Sequence, residues 1–166
     1  GNLMGFAQSD PHQDMLIEGE WQCLECTADS GACEWVGNPE IAPHVNMIET
    51  EHSRLGKHWT TASGEEVPAL GAKIVPVLTD EWEQGSVAIH MADVNKVLAS
   101  VSKICDAGNK VVFDNDEKTA EGSYIENKAT KNRTKIRKKN GVYVFNLWTW
   151  NKHKKGDKTS PNNRAG

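Results

Sequence analysis

The chain has 166 residues, 37% of them hydrophobic, with 19 lysines and arginines against 23 aspartates and glutamates. That length suits one domain with a real core, and a net charge of −4 argues against a protein that covers nucleic acid with its whole surface. Mean hydropathy is −0.61, low for a compact globule, so part of the length is expected to be tail. No stretch approaches the apolar length of a membrane span and no charged-then-apolar leader stands out, so membrane insertion and secretion are set aside. An intracellular, cytoplasmic setting is the expectation, and the opening Gly1-Asn2-Leu3-Met4 reads as the start of a piece cut from something longer.

Residues 1–19 are polar and unpatterned and read as a linker or arm. From Trp21 the pattern becomes strand-like: Trp21-Gln22-Cys23-Leu24-Glu25-Cys26-Thr27-Ala28 leads into a single carboxylate, Asp29. Asp29-Ser30-Gly31-Ala32 then places that carboxylate at a tight turn, with Ser30 able to hydrogen-bond locally and Gly31 allowing a close backbone approach. A catalytic aspartate of an aspartic protease sits in such a place, although the same tetrapeptide is also an ordinary turn. Cys33-Glu34-Trp35-Val36 resumes the strand pattern, and Gly37-Asn38-Pro39-Glu40 and Ala42-Pro43-His44 break it.

His58-Trp59-Thr60-Thr61-Ala62 and Val67-Pro68-Ala69-Leu70 flank Ser63-Gly64-Glu65-Glu66, which predicts a hairpin with Gly64 near its tip. Two apolar runs follow at 73–78 and 86–91, divided by an acidic turn, and Pro76 marks the first as an edge strand or a bulge. Val97, Leu98, Val101 and Ile104 fall on one helical face with Gly108 as a stop, which predicts the chain's one short helix over 97–104. Strands are expected again at 110–113 and 141–148, and a basic flexible tail from Asn151. The sum is a mainly β domain over 20–150.

Cys23 and Cys26 form a C-x-x-C, but residues three apart on a strand point to opposite faces and cannot share a metal. With Cys33 and Cys105 unpaired, reduced thiols are expected and no metal. The histidines have no ligand spacing.

In order along the chain, Asp29-Ser30-Gly31-Ala32, the segment 62–71 around Gly64, the block from Val94 to Ile104 with Gly108 and Val111-Val112-Phe113, and Asn140-Gly141-Val142-Tyr143-Val144 resemble the retropepsin-type aspartic protease region of copia-type retrotransposon polyproteins. The likeness covers about 21–148; Leu98-Ala99-Ser100 stands where that family prefers Leu-Leu-Ser, and Cys33-Glu34-Trp35 is an unusual continuation. The resemblance implies a retropepsin-like closed β-barrel, the acid-protease half with one short C-terminal helix. It also implies an endopeptidase with Asp29, Ser30 and Gly31 as its catalytic segment, Ser30 hydrogen-bonding across a dimer, and Ser63, Gly64 and Glu65 in a substrate-binding flap over an extended polypeptide.

Such chemistry takes two carboxylates sharing one proton and a water, because two held about 3 Å apart cannot both ionise. Asp80, Asp93, Asp106, Asp114, Asp116 and Asp157 all lack a following Ser/Thr-Gly, so the second aspartate must come from a twin chain. A twofold homodimer supplies it, and no cofactor is required. Lys131, Arg133, Lys135, Arg137 and Lys139 recur at every second residue and would line one face of a strand. That stripe has two readings: a contact for nucleic acid or an acidic partner, or a soluble edge strand. The first belongs to the alternative function, a catalytically silent dimerisation or binding module.

Overall fold

The structure is a computed structural model that describes residues 20–61, 63–114 and 122–151. The arm expected at 1–19 and the tail expected beyond 151 lie outside the described residues. Strand β1 (Glu20–Asp29) alternates as a half-buried strand must, with Leu24 and Cys26 inside and Cys23 and Glu25 outside. After the Asp29 turn come β2 (Trp35–Gly37), the single-turn helix α1 (Glu51–Arg54), and a hairpin of β3 (His58–Thr60) and β4 (Glu66–Pro68). The chain continues through β5 (Gly71–Leu78), β6 (Gln84–Met91), β7 (Val97–Ser100) and α2 (Val101–Asp106). It closes with β8 (Asn109–Val112), β9 (Ser123–Asn127), β10 (Arg133–Lys139) and β11 (Val142–Asn151).

The fold is mainly β, and its centre is a closed six-stranded barrel in the order β1-β7-β2-β6-β5-β11. Closure comes from β1, which pairs antiparallel with β11 over Glu20–Thr27 and parallel with β7 over Cys26–Asp29. The sheet runs on from β11 through β10 and β9 to β8. Asn140 and Gly141 join β10 to β11 with φ of 51° and 83°, the two positive values that a type I′ hairpin turn demands. Side chains fill the barrel: Phe145, Leu147, Val75, Ile89 and Met91 are fully buried, and Trp35 meets Phe145 edge-to-face at 6.2 Å. The interior also holds Lys73, whose Nζ donates to the carbonyls of Pro39, Ile41 and Ala42 at 2.8, 2.9 and 3.2 Å. Lys73 thus ties the loop after β2 to β5, and Gln22, which donates to Glu40 O and accepts from Ala42 N, ties the same loop to the end of β1 remote from Asp29.

Three expectations are corrected. The segment 97–104 is not one helix: Val97–Ser100 is strand β7, and only Val101–Asp106 is helical. The parallel ladder to β1 buries Val97, Ala99 and Ser100 and overrides the local helical period. A second short helix, α1, stands where none was expected, held by a capping box between Thr50 and Ser53. Finally, Asn151 belongs to β11 opposite Glu20 and is buried, so the domain runs one residue past the expected 150. Pro76 sits on a stretch of β5 that pairs with β6 alone, since β11 reaches β5 only at Leu78, which accounts for a proline inside a barrel strand.

Candidate functional site

Asp29 is the last residue of β1, and the chain turns at once through Ser30 and Gly31. The Gly31 N–H donates to Asp29 Oδ1 at 2.8 Å, and the Ala32 N–H reaches the Asp29 carbonyl at 3.3 Å. The carboxylate is therefore aimed by its own turn. Asp29 is half-buried while Ser30 and Gly31 are exposed. A Cβ at Gly31 would stand 3.4 Å from Asp29 Oδ1, so any side chain there would lie against the carboxylate. Within the chain, the Ser30 hydroxyl has no hydrogen-bond partner among the described residues.

Opposite Asp29 in the parallel ladder stands Ser100. Its buried Oγ donates to the Ala32 carbonyl at 2.7 Å and accepts from Lys103 N at 3.2 Å, capping α2. Sequence reasoning passed over Ser100 because it was placed inside a helix. Asp80 stands apart from Asp29. Asp80 accepts from the Trp148 indole at 2.8 Å, and Trp148 pairs with Cys23, six residues back along β1 and so roughly 20 Å away. Asp116 and Asp157 lie outside the described residues.

Ser63, Gly64 and Glu65 form the tip of the β3–β4 hairpin, a sheet of its own beside the barrel. Gly64 has φ of +89° with open space where a Cβ would be, and its N–H donates to Thr61 O at 2.9 Å. The tip bonds to itself: Thr61 Oγ1 meets Ser63 Oγ at 3.0 Å and takes Glu65 N at 3.2 Å. At the hairpin base, Trp59 stacks on His52 at 4.4 Å and stands against His90 of β6 at 5.3 Å. His90 Nε2 lies 3.6 Å from Glu34, which also pairs with Lys103 of α2 at 3.8 Å. A chain of contacts thus runs from the hairpin to the segment that follows Asp29. Burial pulls the His90 imidazole below its ordinary range, against the upward pull of Glu34, while His52 and Lys103 add to the lowering.

The basic stripe is extended over Arg133–Lys139, and there the alternate residues do face outward. It is not an edge, since β10 lies between β9 and β11, and Lys131 sits before it with φ of 68°. Nor is it a bare positive face. Arg137 and Lys139 both reach Glu25, at 2.6 and 3.1 Å, and Arg133 bonds Glu126 at 2.8 Å while lying over the Tyr124 ring. Lys110 adds a second cation to Glu126 at 3.8 Å. Hydrogen bonds from these cations hold both carboxylates below the usual range, Lys139 first for Glu25 and Arg133 for Glu126.

Cys23 is exposed and Cys26 buried, the opposite-face arrangement expected of a strand. Burial raises the Cys26 thiol well above its ordinary value, which makes it a core side chain and a poor nucleophile. No cluster of three metal-binding side chains occurs among the described residues, and none of their helices is long and apolar enough to cross a membrane. In comparisons with known proteins, no family model, no curated protein and no solved structure matches the chain.

Proposed function

We propose that this chain is an aspartic endopeptidase domain of the retropepsin type, acting as a homodimer on extended segments of a polyprotein. The observation that carries the reading is the setting of Asp29. It ends a barrel strand, its carboxylate accepts a hydrogen bond from Gly31, and the Ser30 hydroxyl beside it is exposed and unengaged. One such carboxylate per chain makes half a dyad, and a twofold axis through this loop would bring the second.

In that dimer the two Asp29 carboxyl groups share one proton. The ionised one takes a proton from water as the water oxygen attacks the scissile carbonyl carbon, and the protonated one gives its proton to the carbonyl oxygen. The tetrahedral intermediate then collapses: the C–N bond breaks, the amine nitrogen receives a proton from the carboxyl that water had protonated, and the carbonyl reforms as the other carboxylate takes back a hydroxyl proton, which restores the dyad with one proton. The β3–β4 hairpin, with its self-bonded glycine tip, would close on the substrate and exclude water. Extended substrates suit such a cleft because backbone pairing grips any sequence while alternate side chains set preference.

The alternative, a silent module with a basic face, draws less support, because three of the five stripe residues are held by carboxylates. Asp29→Asn and Asp29→Ala test the proposal. Both should abolish cleavage of internally quenched extended peptides while leaving the circular dichroism spectrum and melting temperature near wild type. Undiminished cleavage by the Asp29→Ala protein would sink it.

A further inference from the structure

We infer that Ser100 is a positioning residue for the Asp29 turn, a role that rests on the peptidase reading for its catalytic consequence but not for its structural one. Asp29 and Ser100 are register partners in the β1–β7 ladder, so the end of β1 and the start of α2 meet at this pair. The Ser100 side chain is fully buried and its single hydroxyl is used twice. It donates to Ala32 O at 2.7 Å, across 68 residues of sequence, and accepts from Lys103 N at 3.2 Å, with Ser102 Oγ also 3.2 Å away.

The geometry of the turn gives the first of these bonds its weight. Residues 29–32 are held from within by the bond of Gly31 N to the Asp29 carboxylate and by the long one of Ala32 N to Asp29 O, at 3.3 Å. Beyond the strand ladder, the Ser100 hydroxyl is what ties this turn to another element among the described residues. It grips the carbonyl at the far side of the turn, so the peptide between Ala32 and Cys33 cannot rotate freely. The Gly31 N–H that aims the carboxylate stays where the turn puts it. A helix cap alone would need only an acceptor; donation to Ala32 needs the hydroxyl proton, and serine supplies both at once.

The consequence is specific. Loss of the hydroxyl should loosen the turn and misplace the carboxylate, and misplacement of a reacting group by about 1 Å costs on the order of a hundredfold in rate. Threonine keeps the hydroxyl and should rescue the function.

The test compares Ser100→Ala and Ser100→Thr with Thr79→Ala, which removes a buried hydroxyl that accepts from Glu81 N and Glu83 N in the β5–β6 turn, at the Leu78–Trp148–Cys23 end of the barrel away from Asp29. Amide hydrogen exchange is read at Gly31 and Ala32, whose N–H groups carry the turn's own bonds, alongside kcat and KM on internally quenched extended peptides. The expected result for Ser100→Ala is exchange about tenfold faster at these amides and kcat lower by about ten- to a hundredfold with KM little changed. Ser100→Thr should stay near wild type on both measures. Thr79→Ala should lower the melting temperature without moving either. Unchanged exchange in the turn of Ser100→Ala would overturn the inference, as would a loss of kcat no greater than that of Thr79→Ala. If exchange quickens while no variant, wild type included, shows Asp29-dependent cleavage, the positioning role stands and the peptidase reading falls.

Discussion

The indole of Trp59, on the hairpin, stands edge-on to the imidazole of His90, on the barrel, with ring centroids 5.3 Å apart. His52 stacks on the same indole at 4.4 Å, so ring contacts seat the hairpin on the barrel. His90 faces Glu34, Lys103 and His52, and burial outweighs the carboxylate to keep its protonation below the ordinary value of 6.5. In the window below 6.5 the unfolded chain holds a proton that the folded chain refuses, so stability rises with pH there and falls as acid is added. His90→Gln should flatten the dependence of melting temperature on pH across that window. Glu34→Gln should steepen it, by removing the group that favours the imidazolium. Identical pH profiles for wild type and His90→Gln would contradict this account.

Gly64 has φ of +89° and nothing within 4 Å of a built Cβ, so conformation and not space excludes other residues. Gly64→Val should cost about 1–2 kcal/mol of local strain, and because the tip bonds only to its own turn, global unfolding should register little of it. Peptide turnover should fall several-fold more than the stability change accounts for, with Gly64→Asn the milder variant because asparagine tolerates positive φ. Equal losses of activity and stability in Gly64→Val would assign the glycine to folding alone.

These two sites also mark what the sequence makes legible. Local chemistry is readable: alternation into Asp29, a glycine at a hairpin tip, and two cysteines on opposite faces of β1 all follow from neighbours along the chain. The errors are non-local. Val97, Leu98, Val101 and Ile104 satisfy the helical period, and only a parallel pairing with a strand some seventy residues earlier turns the first of them into β7. Glu25 and the cations it neutralises are separated by 112 and 114 residues, so the stripe looked bare in sequence and is not. Ser100 was hidden for the same reason as β7, since its role depends on which strand lies beside it.

Neutralisation of the stripe has a measurable consequence. Glu25 binds Arg137 at 2.6 Å and Lys139 at 3.1 Å, so a phosphate approaching either meets a carboxylate that offsets its charge. Wild-type protein should bind a single-stranded oligonucleotide only weakly. Glu25→Gln should bind it more tightly, with the slope of log affinity against log salt steeper by about one to two. Tight wild-type binding that Lys139→Ala abolishes would instead favour the binding-module reading.

Oligomeric state separates the readings most directly. Each chain carries one Asp-Ser-Gly, Asp80 is tied to Trp148 roughly 20 Å along β1 from Asp29, and no other described aspartate is followed by serine or threonine and glycine. A working dyad therefore needs two chains, and specific activity should fall steeply on dilution through the dimer dissociation constant. Asp29→Asn protein, whose turn keeps the Gly31 bond to a side-chain oxygen, should still dimerise. Mixed in tenfold excess with wild type, it should draw most wild-type chains into half-sites and lower activity by about tenfold at random pairing. Wild type at the same total protein concentration, made up with an unrelated protein, should lose nothing. Sedimentation measured beside activity across the dilution series reads both quantities on one sample. Full specific activity from a chain that stays monomeric throughout would rule out the two-chain mechanism, and a monomer that cleaves with Asp29 intact would require a second acid from within the same chain.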